Sequence, residues 1–179
     1  MTNSYNENAY SIRMFMPHGD PDGLRVIDQA NWSGVGIAFP RAAYKEVSKR
    51  DEFNRTGVYI LVGPSPDGSS LPTLYIGQSD RVKTRLDSHH KNKDFWEWCV
   101  FFVSKDNALN VAAAQHVESR LIDLAQTAKR CNLDNAASPA GPNLADADAA
   151  EAESFLRIML RVFPLLGISA FEQNVASPQ

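Results

Sequence analysis

Cysteine is scarce in this chain, two among 179 residues. Neither the number nor the spacing of Cys99 and Cys131 suits a zinc site or a disulfide scaffold, so both are expected to be reduced thiols. Long apolar runs are missing as well. No stretch approaches the roughly 18 residues that mark a membrane span. The opening residues, MTNSYNENAY, lack the basic start and apolar stretch of an export signal. A cytoplasmic location with no membrane partner is the expectation. The tripeptides Asn31-Trp32-Ser33 and Asn54-Arg55-Thr56 match the glycosylation pattern, which acts only on secreted chains and is accidental here.

An excess of positive charge is also absent. The net charge of −3 excludes a generally sticky nucleic-acid binder, for which a basic domain is expected. Residues 1 to 131 carry 16 Lys and Arg against 15 Asp and Glu, whereas residues 132 to 179 carry two against six. The acidity thus belongs to the C-terminal segment. Basic residues gather in two stretches, Arg41, Lys45, Lys49, Arg50 and Arg55, then Arg81, Lys83, Arg85, Lys91 and Lys93 with His89 and His90. Acidic residues interrupt both, so a solvated, salt-bridged face accounts for about half of these charges. A confined basic groove remains compatible with this pattern; a basic surface does not.

What is present is enough apolar residue, 44%, for a core of its own and a single domain. Short apolar stretches at Tyr10 to Met16, Leu24 to Ile27 and Val35 to Phe39, separated by turn-forming residues, form a small strand-rich lead-in. Asp20 and Asp22 before Gly23 lack the later ligands and terminal Glu of a calcium loop and are read as a turn. Gly57 to Gly63 and Thr73 to Gly77 read as two strands joined by a loose hairpin. The five apolar residues Cys99 to Val103 read as a third strand, buried on both faces. Asp80 is a candidate cap for a helix through about His89, and Asp106 or Asn107 for a long helix to about Arg130. Asn132 to Asn143 reads as a loop, and an amphipathic helix runs from about Asp146 to Phe163. The expected fold is α/β of the α+β type: a small, mainly antiparallel three-stranded sheet flanked by helices, with a strand-rich N-terminal extension.

Glu118 is the most informative single residue. Val111, Ala114, Leu121, Ile122 and Ala125 lie three, four or seven positions from it, so all six share one helix face. A carboxylate left unpaired on a core-facing stripe costs several kcal/mol, roughly, so a cation, an Arg or water in a cleft must compensate it. A structural ion pair and a catalytic role both meet that need. On the preceding helix Arg85 and His89 stand four residues apart, one a planar donor fork suited to phosphate and the other a proton acceptor near neutral pH. Tyr59 and Tyr75 occupy corresponding places on adjacent strands, which for either alone means packing with a satisfied hydroxyl.

Taken together, Gly57-Val58-Tyr59, Tyr75-Ile76-Gly77, Arg85, His89, Glu118 and Asn135 resemble the GIY-YIG nuclease domain, over about residues 56 to 136. Val58 stands where the name-giving Ile would be. For the last position Asn135 is preferred over Asn132, because Leu133-Asp134-Asn135 followed by Pro139 is closer to the family's segment. The wider chain resembles bacterial proteins of this family in which Trp32, Arg41 and Asp94-Phe95-Trp96 accompany the nuclease core. The resemblance divides the chain into an extension (1–55), a nuclease core (56–136) and a C-terminal loop and helix packed on it (137–179).

The resemblance implies hydrolysis of DNA phosphodiester bonds with one divalent cation, Mg²⁺ or Mn²⁺, bound by Glu118 and otherwise by phosphate and water. Tyr59, alone or relayed through His89, would take a proton from the attacking water. Arg85 and Tyr75 would stabilise charge on the phosphorus oxygens. Asn135 would hold the carboxylate or a nearby backbone group. The expected products are a 5′-phosphate and a 3′-hydroxyl, with Gly77, Arg81, Lys83, Lys45 and Lys49 along the nucleic acid. The lead-in is small for reading a DNA sequence, which implies a partner subunit or a homodimer as the source of specificity. The alternatives are an idle nucleic-acid- or partner-binding module on the same fold, or RNA as substrate.

Overall fold

Two uninterrupted apolar stretches, β4 (Gly57–Gly63) and β6 (Trp98–Ser104), pair side by side at the centre of one sheet. The structure, a computed structural model, describes residues 8–173; the first seven residues of the extension and the last six of the C-terminal segment lie outside it. Side chains alternate across the sheet, as strand geometry requires. Val58, Ile60 and Val62 share a core with Val117, Leu121 and Ile122 of α3 (Val111–Ala128) and with Phe155, Leu156 and Met159 of α4 (Asp146–Val162). On the other face, Tyr59 and Leu61 pack with Val82 and Leu86 of α2 (Val82–Asn92) and with Tyr44 and Val47 of the short α1 (Tyr44–Val47). Covering both faces is what makes these strands apolar throughout rather than alternating.

The class is α+β, but the expected three-stranded antiparallel sheet is replaced by a seven-stranded mixed one, ordered β1-β2-β3-β6-β4-β5-β7. A strand buried on both faces still has two hydrogen-bonding edges, and apolar patterning reports faces, not edges. On β6, β4 takes one edge, and β3 (Gly34–Pro40) takes the other over the full register from Gly34↔Ser104 to Pro40↔Trp98. The lead-in strands β1 (Ile12–Phe15) and β2 (Arg25–Gln29) thereby continue the same sheet. At the opposite edge, β5 (Thr73–Ser79) pairs antiparallel with β4 and parallel with β7 (Asn132–Leu133), a two-residue strand inside the segment expected as a loop.

Helix starts differ from expectation for local reasons. Asn110, not Asp106, caps α3, accepting from the Ala113 N–H at 2.9 Å. Asp106 instead closes the preceding turn through the Ala108 N–H, also at 2.9 Å. At α2 the Ser79 hydroxyl accepts from the Arg81 N–H at 3.1 Å, and the Asp80 side chain caps nothing there. Asp20 and Asp22 form a turn closed by the Asp22 N–H on the Asp20 carboxylate. Both cysteines are free, and no helix among the described residues is long and apolar enough to cross a membrane.

The structure supplies a physical role for Arg41. Its guanidinium donates to the carbonyls of Lys93 (2.7 Å) and His90 (2.9 Å) and lies 4.7 Å over the Trp96 ring. These are the carbonyls that the last turn of α2 leaves unpaired, so the residue following β3 closes the end of the helix. Trp32, in turn, packs on Phe102 and Phe155 on the α3–α4 side. Replacing Arg41 with Ala should cost about 2 kcal/mol, the sum of two charge-assisted hydrogen bonds and a ring contact less the water that replaces them. Urea unfolding measures the loss, and amide exchange should quicken first at the end of α2.

Candidate functional site

Register decides which residues can meet on the α2 face of the sheet. Tyr59 pairs with Gly77 and Tyr75 with Leu61, so the tyrosines are diagonal neighbours on one face rather than directly opposite. Their rings stack with centroids 6.2 Å apart. Gly77 is what admits this arrangement, because a Cβ there would overlap the hydroxyl and ring of Tyr59. From above, α2 lowers His89 between them, 5.4 Å from the Tyr59 ring and 4.9 Å, edge on, from that of Tyr75. The Tyr59 hydroxyl lies 2.8 Å from Nε2 of His89. With the imidazole proton on Nδ1, that hydroxyl donates to Nε2.

Electrostatics of the cluster point one way. Burial, reinforced by Lys93 and Arg85 and opposed by Asp134, lowers the His89 pKa to about 4, so the ring is neutral at pH 7. Burial likewise pushes the Tyr59 phenol up, with Tyr75 and Glu118 adding to the shift and Arg85 opposing it. A tyrosinate is therefore disfavoured. Glu118, half-buried on α3, lies near enough to this group for its charge to act on the Tyr59 phenol. Burial raises its pKa even though Arg85 and the Gln78 backbone N–H pull it down. Its charge is thus only partly compensated. Arg85 is exposed and, among the described residues, makes no hydrogen bond or ion pair, leaving its donor fork available.

Asn135 acts on the backbone rather than on the carboxylate. Its Oδ1 accepts from the Ile76 N–H at 3.0 Å, and its Nδ2 donates to the Ile76 carbonyl at 2.7 Å. Beyond the end of β7, a side-chain amide thus stands in for the next residue of the ladder and holds the segment that carries Tyr75 and Gly77. Asn132 does something different, donating to the Ser65 hydroxyl at 3.1 Å.

The expected nucleic-acid residues are less concentrated. Arg81 is turned onto Asn54 (2.7 Å), Lys83 pairs with Asp87 (2.9 Å), and Lys49 pairs with Glu46 (2.8 Å). Lys45 is exposed on α1, near enough to His90 to lower its pKa, although burial is the larger cause there. Arg50 pairs with Glu52 at 2.8 Å, so much of the basic clustering is spent in local ion pairs. Two residues outside the expected set stand at the site. Lys93 lies 4.4 Å over the Tyr75 ring and 2.6 Å from the Asp134 carboxylate. The available signal for Lys93 was its position four residues beyond His89; Asp134 carried none until β7 was in place.

Comparison with family models, with curated proteins and with solved structures finds no match to this chain.

The depressed His89 value has a consequence for folding. The unfolded chain takes up this proton near 6.5 and the folded chain only near 4, so the unfolded state binds more protons between those values. Stability from this residue is complete above about pH 6.5 and falls as the pH drops toward 4. His89→Gln should flatten that part of the stability-versus-pH curve, read from urea midpoints at half-unit steps.

Proposed function

We propose that the chain is a divalent-metal-dependent endonuclease that hydrolyses DNA phosphodiester bonds, leaving a 5′-phosphate and a 3′-hydroxyl. The observation that carries this reading is the hydrogen-bonded Tyr59–His89 pair beside a free guanidinium and an under-compensated carboxylate. Because burial disfavours a tyrosinate, Tyr59 works as a relay: its oxygen takes a proton from the attacking water as its own proton passes to neutral Nε2 of His89. Arg85 offers a planar fork to the phosphate oxygens, and the Tyr75 hydroxyl adds a donor on the same face. Gly77 and Asn135 hold the strand that positions both tyrosines.

Glu118 is the residue that would hold the metal. Burial already raises the pKa of its carboxylate, as expected where a cation is still to be supplied. Among the described residues no three His, Cys, Asp or Glu gather as a metal-binding group. One carboxylate, with phosphate and water completing the shell, suits Mg²⁺ or Mn²⁺ rather than an all-protein cage. When bound, the ion would offset charge building up on the phosphate. Lys45, Lys49, Arg81 and Lys83 would meet flanking phosphates after exchanging their present partners, which keeps affinity low. A partner subunit or second copy would then supply specificity, and the cytoplasm is the compartment that fits two free thiols.

The test is cleavage of supercoiled plasmid with and without Mg²⁺. Wild type should relax or linearise the plasmid only with the metal. Glu118→Gln should fold and bind DNA yet lose nearly all cleavage, while Tyr59→Phe should be slower by about 10²-fold, the range for losing a proton relay. Retention of a tenth of wild-type cleavage by Glu118→Gln would remove the metal assignment.

A further inference from the structure

The opposite face of the sheet holds a cavity of about 710 Å³ that shares no residue with the candidate site. Its floor is one cross-strand row, set by the register Pro40↔Trp98, Val62↔Trp98 and Val62↔Leu74. Trp98, Val62 and Leu74 turn toward α3 and α4, whereas Tyr59 belongs to the α2 face, so the sheet itself separates the two places. The β4–β5 hairpin walls one side with Ser69, Ser70 and Leu71, and the turn that follows α4 walls another with Leu166. Leu71 is a large apolar side chain left 39% exposed.

Arg25 enters this cavity from β2. It stands opposite Ala38, which puts its side chain on the α3 face, and its guanidinium lies 5.8 Å from the centroid of the Trp98 ring. Its Nε is buried with no hydrogen-bond partner, and no ion pair engages the group among the described residues. Arg13 and Arg50, by contrast, each hold a carboxylate. A guanidinium carries donors only, so a planar acceptor is what would complete this one. Asp22 and Glu97, both exposed, line the same cavity, which sets one cation against two acids. A singly charged acceptor can pair with Arg25 under that balance, whereas a phosphate dianion is repelled.

We propose that this cavity binds a small molecule with one carboxylate on an apolar body, the carboxylate on the donor fork of Arg25 and the body against Trp98, Leu71 and Leu166. The volume falls within the roughly 300 to 1,000 Å³ of small-molecule sites, so a bare ion would leave most of it to water. A simple carboxylic acid and a free amino acid share this chemistry; the amino acid would also offer an ammonium to Asp22 or Glu97. The site is independent of the nuclease reading.

Calorimetric titration of the full chain with 3-phenylpropionate, phenylalanine, phenethylamine and inorganic phosphate tests this. The first three carry one phenyl body with a carboxylate, with both charges, or with an ammonium alone. Saturable binding of 3-phenylpropionate or phenylalanine is expected, with phenethylamine and phosphate clearly weaker. Whichever of the two carboxylates binds more tightly identifies the source, simple acid or amino acid. Arg25→Gln should weaken that ligand about tenfold or more, the range for losing charge-assisted hydrogen bonds. Because Arg25 also packs on Trp98, Leu71→Asp serves as a second variant: it sets a negative charge in the wall from an exposed position and should weaken binding with an unchanged melting temperature. The proposal is overturned if neither carboxylate binds saturably, if Arg25→Gln and Leu71→Asp bind as wild type does, or if phosphate or phenethylamine binds as tightly. Loss of binding in Arg85→Gln but not in Arg25→Gln would place the carboxylate on the other face and overturn it too.

Discussion

The pairing of Tyr59 with Gly77 is the constraint around which the site is built. Side chains alternate along a strand, so a slip of one residue between β4 and β5 would send Tyr59 to the α3 face and set Tyr75 out of reach of its ring. Two features hold the register. The apolar residues Val58, Ile60 and Val62 must face α3 and α4, which leaves Tyr59 and Leu61 no other side. Asn135 then grips both backbone groups of Ile76, one residue from Gly77, where a short β7 would otherwise leave an open edge. Only with both in place does a phenol fit over the missing Cβ of Gly77 and reach His89.

Placing helices on both faces also sorts charge. The acid-rich C-terminal segment forms α4, which packs with α3 on the face away from Tyr59 and His89. Its Glu153 is taken up by His116 and Arg120 of α3, each at 2.8 Å, as a tie between the two helices. Asp134 is the exception, an acid from the same segment that reaches the His89 side and holds Lys93 there. On that side, Arg41 closes α2 and Lys93 follows its last turn, so the lead-in strands and the β7 strap both bear on one helix end. The residue that follows β3 thus braces the end of the helix that carries His89.

A buried imidazole, a buried phenol and a half-buried carboxylate within one group form an arrangement that ordinary packing avoids. Each is shifted toward its neutral form, and burial is the largest cause for all three. Proteins tolerate such costs at sites where neutral donors and acceptors are needed or where a counter-charge arrives with a ligand.

By itself the sequence determined the two central strands, the three long helices to within a few residues, and Glu118 as a carboxylate on an apolar stripe, because periodicity and residue chemistry are local properties; Tyr59, Tyr75, Arg85 and His89 joined it as candidates only through the resemblance to a nuclease motif. The free thiols and the separation of acidic from basic segments were legible for the same reason. Only the tertiary structure decided how many strands share the sheet, because hydrogen-bonding edges leave no trace in apolar patterning and β3 meets β6 from 58 to 70 residues away. It also decided that Arg81 turns onto Asn54, 27 residues away, whereas the pairs Lys83–Asp87, Lys49–Glu46 and Arg50–Glu52 are local and belong to the interrupted clusters visible in the sequence. The partnership of Lys93 with Asp134, 41 residues apart, depends on a parallel strand only two residues long. A pairing that short is specified by what surrounds it and not by its own sequence.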